Sequence, residues 1–148
     1  MSETSIRMTE AKDEMRWREL WAGYLKFYRS ELPNDVTTNT WKRILDPASN
    51  IDALVATRDG QVIGICNYLF HDSTWSNQQS CYLQDLYVDP NARGGGAAKN
   101  LILACEEKAK EKGAFRLYWQ TQEYNAAARS LYDTIVPRSS FIVYKKGL

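Results

Sequence analysis

The chain has 148 residues, of which 44% are hydrophobic and 25% are charged, and its formal net charge is +1. This length and apolar content predict a single globular domain covering residues 1–148 and exclude a disordered chain. The near-zero charge argues against a protein whose main task is to bind nucleic acid. The longest apolar run, at 101–105, is far shorter than the roughly 18 residues of a membrane span.

The cysteines and the first residues indicate the compartment. Cys66, Cys81 and Cys105 are odd in number and form no C-x-x-C pair, so they predict neither a zinc ribbon nor a redox pair but buried thiols in a reducing environment. The polar segment 1–6 lacks the apolar core of a signal peptide. We therefore expect a cytoplasmic protein without a bound metal.

The first half of the chain predicts a strand, two helices and a β-hairpin. A short strand at 5–8 is followed by Thr9 as a helix N-cap. Apolar residues from Trp17 to Tyr28 recur at helical spacing on one face, and Pro33 is expected to end that helix. The next elements are a short helix at 38–45, a strand at 53–57, a turn at Asp59–Gly60 and a strand at 61–70.

The second half predicts three further strands and two helices around a glycine-rich turn. These elements are a strand at 81–88, a turn at 93–96, a helix at 97–112, a strand at 115–121, a helix at 125–134 and a final strand at 141–144. The order β-α-α-β-β-β-α-β-α-β predicts a mixed α/β domain built on one sheet.

The most informative segment is the turn that joins a strand to the helix at 97–112. Helix N-termini present unpaired N–H groups and a partial positive charge, which together bind anions. Three consecutive glycines, at 94–96, cost about 1 kcal/mol each relative to alanine in a helix, which favours a ligand-binding turn over a flexible loop. Lys99 does not complete a Walker A motif and stands where the dinucleotide motif needs a small residue.

The turn does satisfy the pattern R-x-x-G-x-[GA]. Arg93, Gly96 and Ala98 form this pattern, and Val88 and Pro90 precede it as V-x-P. It resembles the acetyl-CoA turn of the GNAT N-acetyltransferase superfamily, and the element order also resembles that fold.

A second segment agrees with this resemblance. Asn125, Ala128, Leu131 and Tyr132 are similar to the family's N-x-x-A-x-x-[FL]-Y motif. The segments 72–75, 82–89 and 141–146 look like the histone and polyamine acetyltransferase branch. One departure is Val136, which stands where the family has glycine and which puts the connection to the last strand in doubt.

The resemblance implies an α/β (α+β) fold with a mixed, mostly antiparallel sheet, flanked by helices and splayed at an acetyl-CoA site. The strand at 81–88 would pair with the pantetheine, and the N–H near Val88 would face the thioester oxygen. The residues implied to bind acetyl-CoA are Leu86, Tyr87, Val88, Arg93, Gly94, Gly95, Gly96, Ala97, Ala98, Lys99 and Asn125.

The implied activity is transfer of an acetyl group to a primary amine of a small molecule or peptide, by direct attack in a ternary complex. Tyr132 would be the general acid that protonates the thiolate. Only about one lysine-like amine in 2,500 is neutral at pH 7, so a base is useful. The candidates are Asp85, Glu123, Asp72 and His71. Asp85 is favoured because it lies on the strand next to the thioester. In polyamine-acetylating relatives an acid can also stand at the position of Gln84, and because Gln84 cannot act as a base, it weakens the case for a polyamine substrate.

Two other functions stay open at this point. One is an acyltransferase that uses Cys81 or Cys66 as a nucleophile together with His71. The other is a non-catalytic acetyl-CoA-binding or protein-interaction module. The exposed edge of the predicted strand at 141–144 also predicts a homodimer formed through that strand.

Overall fold

The computed structural model describes residues 3–148 and contains one five-stranded sheet with the strand order β1-β2-β3-β4-β5. The strands are β1 (Ser5–Met8), β2 (Ile51–Arg58), β3 (Gln61–His71), β4 (Ser80–Val88) and β5 (Arg116–Trp119). The first three pairings are antiparallel, and β4 pairs with β5 in parallel. This arrangement confirms the mixed, mostly antiparallel sheet.

Helices cover both faces of the sheet. They are α1 (Glu14–Phe27), α2 (Asn34–Leu45), α3 (Ala97–Glu111) and α4 (Ala126–Tyr132), and short 3-10 turns lie at Ala11–Asp13 and Pro90–Ala92. The helices α1 and α2 bury Trp17, Trp21 and Trp41 against one face, and α3 buries Leu101 and Ile102 against the other. The apolar spacing of α1 and α3 therefore predicted correctly which side of each helix is buried.

The hairpin between β2 and β3 follows from its turn residues. Asp59 and Gly60 both have positive φ, at 54° and 76°, which matches the two-residue turn that joins right-twisted antiparallel strands. This turn was correctly predicted from the sequence.

The helix ends in the first 50 residues differ from the predictions. Thr9 does not cap a helix: Glu10 precedes the 3-10 turn, and Asp13 precedes α1. Pro33 does not end α1, which stops at Phe27, but stands at the N-cap of α2. A proline at a helix start loses no intrahelical hydrogen bond, because the first N–H groups are unpaired in any helix.

The predicted final strand was wrong. Residues 141–144 form no strand, and Phe141 and Tyr144 are 90% and 89% exposed. A strand needs a partner edge, and the preceding segment at 137–140 contains Pro137 and no glycine that would turn the chain back onto β5. The edge of the described sheet on this side is therefore β5. No helix within residues 3–148 is long and apolar enough to cross a membrane.

Candidate active site

The sheet opens between β4 and β5. The pairing of these strands covers only Ser80–Leu83 with Arg116–Trp119, although β4 continues to Val88. Residues 85–88 therefore pair with β3 on one side, and on the other side no strand of the described chain pairs with them. An open strand edge of this kind can accept an extended ligand through its backbone N–H and C=O groups.

A β-bulge lies where the opening begins. Asn67 pairs with Asp85, but the next residue of β3, Tyr68, pairs with Leu83, so Gln84 is an extra residue in β4. Leu83 packs on the α3 side of the sheet, and Asp85 faces α1. Without the bulge, residues two apart would share a face, so the extra residue directs Asp85 toward α1.

Asp85 accepts two side-chain hydrogen bonds. Tyr24 of α1 donates its hydroxyl to Oδ1 at 2.8 Å, and Asn67 of β3 donates Nδ2–H to Oδ2 at 3.1 Å. Burial raises the pKa of Asp85 above its ordinary value, and the two hydrogen bonds oppose that rise. A carboxylate with a raised pKa is a stronger base than an exposed one.

Tyrosines surround this carboxylate. Tyr24 packs against Tyr28 and Tyr87, with ring centroids 5.0 and 6.1 Å apart. Burial, together with the negative charge of Asp85, raises the pKa of Tyr24, Tyr28 and Tyr82. These phenols therefore stay neutral at physiological pH and present hydroxyl groups and ring faces to a cation.

Tyr132 lies at the end of α4 and packs edge-to-face on Trp119 of β5, with ring centroids 5.5 Å apart. Burial, followed by the nearby Tyr28 and Cys66, raises the pKa of Tyr132 to about 12. Tyr28 thus influences the pKa of Tyr132, and Asp85 influences that of Tyr28, so Tyr28 connects the surroundings of the two residues predicted to be catalytic.

The glycine turn forms an open cradle at the start of α3. Gly94 and Gly96 have φ of 91° and 80°, and a Cβ at either position would have no heavy atom within 4 Å. Asn100 donates the first helical hydrogen bond, to the Gly96 carbonyl at 2.9 Å. The N–H groups of Ala97, Ala98 and Lys99 precede it and point out of the helix end, where they can bind an anion.

Arg58 is a site residue that the sequence analysis missed. It lies next to the turn, because a Cβ on Gly95 would overlap its Nη2 atom. Arg58 donates to the Ala92 carbonyl at 3.2 Å and to the Thr4 hydroxyl at 2.9 Å. Its position at the end of β2, just before the hairpin, carries no sequence signal, since its proximity to the turn arises from strand pairing.

Arg93 and Asn125 have structural partners. The Arg93 side chain donates to the Val88 carbonyl at 3.2 Å, and its guanidinium carbon lies 5.6 Å from the centre of the Tyr87 ring. The Asn125 side chain accepts from the Ala128 N–H at 3.3 Å and caps α4. Arg93 therefore stands between the open strand edge and the turn, and Asn125 holds the start of the helix that carries Tyr132.

The remaining base candidates have other surroundings. His71 contacts the Tyr118 hydroxyl at 2.7 Å and the Asp72 carbonyl at 2.8 Å, and it pairs with Ser80, at the opposite end of β4 from Val88. Asp72 accepts from Gln79 at 3.0 Å, and Glu123 is exposed. Of the four candidates, Asp85 is the buried carboxylate on the part of β4 that does not pair with β5.

The cysteines do not form a nucleophilic site. Cys66, Cys81 and Cys105 are all fully buried, and the neighbouring Cys105 and Cys66 thiols, together with burial, raise the pKa of Cys81 and Cys105 respectively. Within the described residues, neither Cys66 nor Cys81 contacts the His71 ring, whose two nitrogens have other partners. The prediction of a Cys–His nucleophile finds no support here.

Comparisons with known proteins agree with this geometry. The model of the acetyltransferase (GNAT) family matches residues 15–134. The chain belongs to the GNAT acetyltransferase family. It is 34% identical over 144 residues to a D-amino-acid N-acetyltransferase of Saccharomyces cerevisiae, covering 96% of this chain and 89% of that protein. It is 30% identical over 99 residues to a thialysine N-epsilon-acetyltransferase of Caenorhabditis elegans, covering 66% and 61%.

Solved structures show the same GNAT fold. A ribosomal-protein-alanine N-acetyltransferase from Brucella melitensis biovar Abortus 2308 superposes with a TM-score of 0.81 at 23% identity, covering 98% of this chain and 99% of that one. As a GNAT protein, the chain is an N-acetyltransferase of the acyltransferase class, and the family uses acetyl-CoA. Family membership favours an enzyme over the non-catalytic module, and the open cradle at the glycine turn fits the phosphates of such a donor.

Proposed function

We propose that this GNAT enzyme transfers an acetyl group from acetyl-CoA directly to the primary amine of a small molecule or peptide, within a ternary complex. One observation carries the proposal: the unpaired edge of β4 leads to the glycine turn, with Asp85 and Tyr132 near the opening. The yeast relative acts on D-amino acids and the worm relative on thialysine, both of which carry primary amines.

The chain would hold acetyl-CoA at two places. Gln84–Val88 would pair with the extended pantetheine through the open strand edge, and the N–H of Val88 would stabilise negative charge on the thioester oxygen. The N–H groups at 94–99 would bind the pyrophosphate, with Arg93 and Arg58 adding positive charge beside the turn. When bound, acetyl-CoA supplies the activated thioester.

Asp85 would prepare the amine for attack. An ammonium ion entering among the tyrosines meets one buried carboxylate, whose raised pKa makes it a better proton acceptor than an exposed carboxylate. The neutral nitrogen then forms the C–N bond as the C–S bond breaks.

Tyr132 would complete the proton transfers. Its pKa of about 12 keeps it protonated at neutral pH, so that it can give a proton to the departing sulfur. The nitrogen loses its second proton as the amide forms, and this proton restores the tyrosine. The first proton, held by Asp85, leaves to solvent and restores the carboxylate. One ammonium ion and one acetyl thioester thus yield an amide, free coenzyme A and one proton.

The test is release of free thiol from acetyl-CoA with a panel of amines that includes D-amino acids, thialysine, lysine, spermidine and a lysine peptide. We expect Tyr132→Phe to lower kcat by about 10²–10⁴-fold, the range for a general acid. Tyr124→Phe is the matched control, because Tyr124 is 83% exposed just before α4. Full kcat in Tyr132→Phe would remove the tyrosine from the mechanism, and an acetylated cysteine in the mass spectrum would contradict direct attack.

We further propose that residues 1–148 act as one acetyltransferase domain, in the cytoplasm, as a homodimer, and without metal, nucleic acid or membrane. Activity that persists in EDTA and a dimeric mass by light scattering are the expected results. A strictly metal-dependent rate or a monomeric mass would contradict the corresponding part.

A further inference from the structure

Two stacked tyrosines continue along the sheet from Asp85. The rings of Tyr82 on β4 and Tyr118 on β5 have centroids 4.8 Å apart, and both side chains are partly exposed. Burial first, and then Tyr118 and Asp85, raise the pKa of Tyr82, so the carboxylate lies near this pair. The pair, which we name the tyrosine strip, therefore leads from Asp85 toward the start of β5.

Arg116 stands at the far end of the tyrosine strip. Its guanidinium carbon lies 5.0 Å from the centre of the Tyr118 ring, and its Nε–H donates to the Ser80 hydroxyl at 3.0 Å. Arg116 and Tyr118 are two residues apart on β5, so they share a face of the sheet. The Tyr118 hydroxyl contacts His71 at 2.7 Å. These contacts hold both the guanidinium and the ring next to it in place.

The Arg116 guanidinium has no acidic partner among the residues that the structure describes. Arg116 is exposed, and none of the ion pairs formed within 3–148 includes it. Asp72, just after β3, accepts from Gln79 at 3.0 Å instead. Because the contact with Ser80 uses Nε, the two terminal nitrogens are left as a planar fork, which matches the two oxygens of a carboxylate.

We propose that the tyrosine strip holds a primary amine that also carries a carboxylate, with the reactive nitrogen at Asp85 and the carboxylate on Arg116. This assignment rests on the proposed acetyl transfer and leaves its chemical steps unchanged. Opposite charges stand at the two ends of the strip, and the aromatic rings between them can pack against an aliphatic chain. A polyamine would instead bring a second positive charge to Arg116, which disfavours it.

The length of the strip selects among amino acids. The partners of Asp85 and Ser80 on β3 are four residues apart, which corresponds to about 13 Å of extended strand. Arg116 pairs with Ser80, and its side chain reaches over Tyr118, which shortens the gap. The matching substrate is an ω-amino acid whose amine and carboxylate are about 10 Å apart, the span of an eight-carbon chain. In an α-amino acid the two groups are too close together to reach both ends.

The first experiment measures binding without turnover. Isothermal titration calorimetry compares 8-aminooctanoate with 8-aminooctanamide, in which a neutral amide replaces the carboxylate. We expect the acid to bind about 10–100-fold more tightly, the range for hydrogen bonds between charged groups, and Arg116→Gln to remove the difference. Equal binding of the two ligands to the unaltered protein, or a difference that survives in Arg116→Gln, overturns the proposal.

The control variant is Arg43→Gln. Arg43 is an exposed arginine of α2, whose buried residues pack with those of β2. This variant should keep the full preference for the acid. Loss of the preference in Arg43→Gln as well would show a general effect of charge and refute a carboxylate site at Arg116.

Chain length is tested with the same end groups. 4-Aminobutyrate spans only about 5 Å, so it should bind no more tightly than 4-aminobutanamide. A preference for this short acid that disappears in Arg116→Gln would place the carboxylate beside the amine and contradict the span from Asp85 to Arg116.

Thiol release from acetyl-CoA separates this inference from the proposed function. We expect Arg116→Gln to raise the KM for 8-aminooctanoate about 10–100-fold, with kcat unchanged and with both constants for 8-aminooctanamide unchanged. Arg116→Lys, which keeps the charge without the fork, should recover part of the loss. A fall in kcat with both amines would show a structural role and refute the assignment. Thiol release with no amine would overturn the proposed acetyl transfer, while the calorimetric comparison still decides the carboxylate site.

Discussion

Removal of the Tyr24 hydroxyl tests whether Asp85 is the base. In Tyr24→Phe, the ring keeps its packing on Trp21, with centroids 5.3 Å apart, but the 2.8 Å hydrogen bond to Asp85 is lost. That bond favours the charged carboxylate and therefore lowers its pKa. Without it, the pKa of Asp85 rises further, and a smaller fraction of the enzyme carries the ionised base at acidic pH.

The expected magnitude follows from the hydrogen bond. A bond to a charged group contributes about 1.5–3 kcal/mol, and each 1.4 kcal/mol is tenfold in an equilibrium constant. We therefore expect kcat/KM on the acidic side of the profile to fall about tenfold or more, while the plateau at higher pH changes little. The assay is thiol release from acetyl-CoA, measured with a fixed amine across the pH range.

The matched control is Tyr28→Phe. The charge of Asp85 contributes to the raised pKa of Tyr28, but Tyr28 makes no hydrogen bond to Asp85 within the described structure. Loss of the Tyr28 hydroxyl should leave the acidic side of the kcat/KM profile unchanged. If the acidic side of the profile does not shift in Tyr24→Phe, or shifts equally in both variants, Asp85 is not the base whose ionisation limits the rate.

Two further predictions concern the turn and acid stability. Gly95→Ala should raise the KM for acetyl-CoA several-fold, because its Cβ displaces the flexible Arg58 side chain; Gly147→Ala, in open space, should not, and equal KM values would refute a role for Arg58. The hydrogen bond from Arg7 lowers the pKa of Asp13 in the folded protein. Ionised Asp13 therefore stabilises the fold fully at pH values above its pKa in the unfolded chain, and this stabilisation is lost as the pH falls through the lower pKa of the folded state. Asp13→Asn should therefore cost about 2 kcal/mol in urea unfolding at pH 7 and less at pH 3, and an equal cost at both would contradict the ion pair.

The sequence predicted elements whose signals are local. The spacing of Trp17, Leu20 and Trp21 marked the buried face of α1, and Asp59–Gly60 marked the hairpin, because both patterns involve neighbouring residues. The predicted strand at 141–144 was wrong because a run of β-branched and aromatic residues shows the capacity to form a strand, not the presence of a partner edge.

The site residues that were missed depend on distant pairing. Arg58 reaches the glycine turn because β2, β3 and β4 are adjacent in the sheet, and Tyr24 reaches Asp85 because α1 crosses that sheet. Gln84 gave no sign that it forms a bulge, although the bulge decides which face Asp85 occupies. Motif spacing located the turn and the strand, but not the residues that other elements bring to them.

The formal net charge of +1 is a poor guide to the charge of the ligand that this chain can bind. A helix N-terminus contributes about half a positive charge from backbone dipoles alone, which no count of side chains records. Arg58 and Arg93 are placed by a carbonyl of the turn and a carbonyl of β4 rather than by acidic residues, so their charges are not cancelled by those partners. A chain of nearly zero net charge can therefore offer a concentrated site for a polyanion, and the small residues at 94–98 are what reveal it in the sequence, since they let phosphate oxygens approach the backbone.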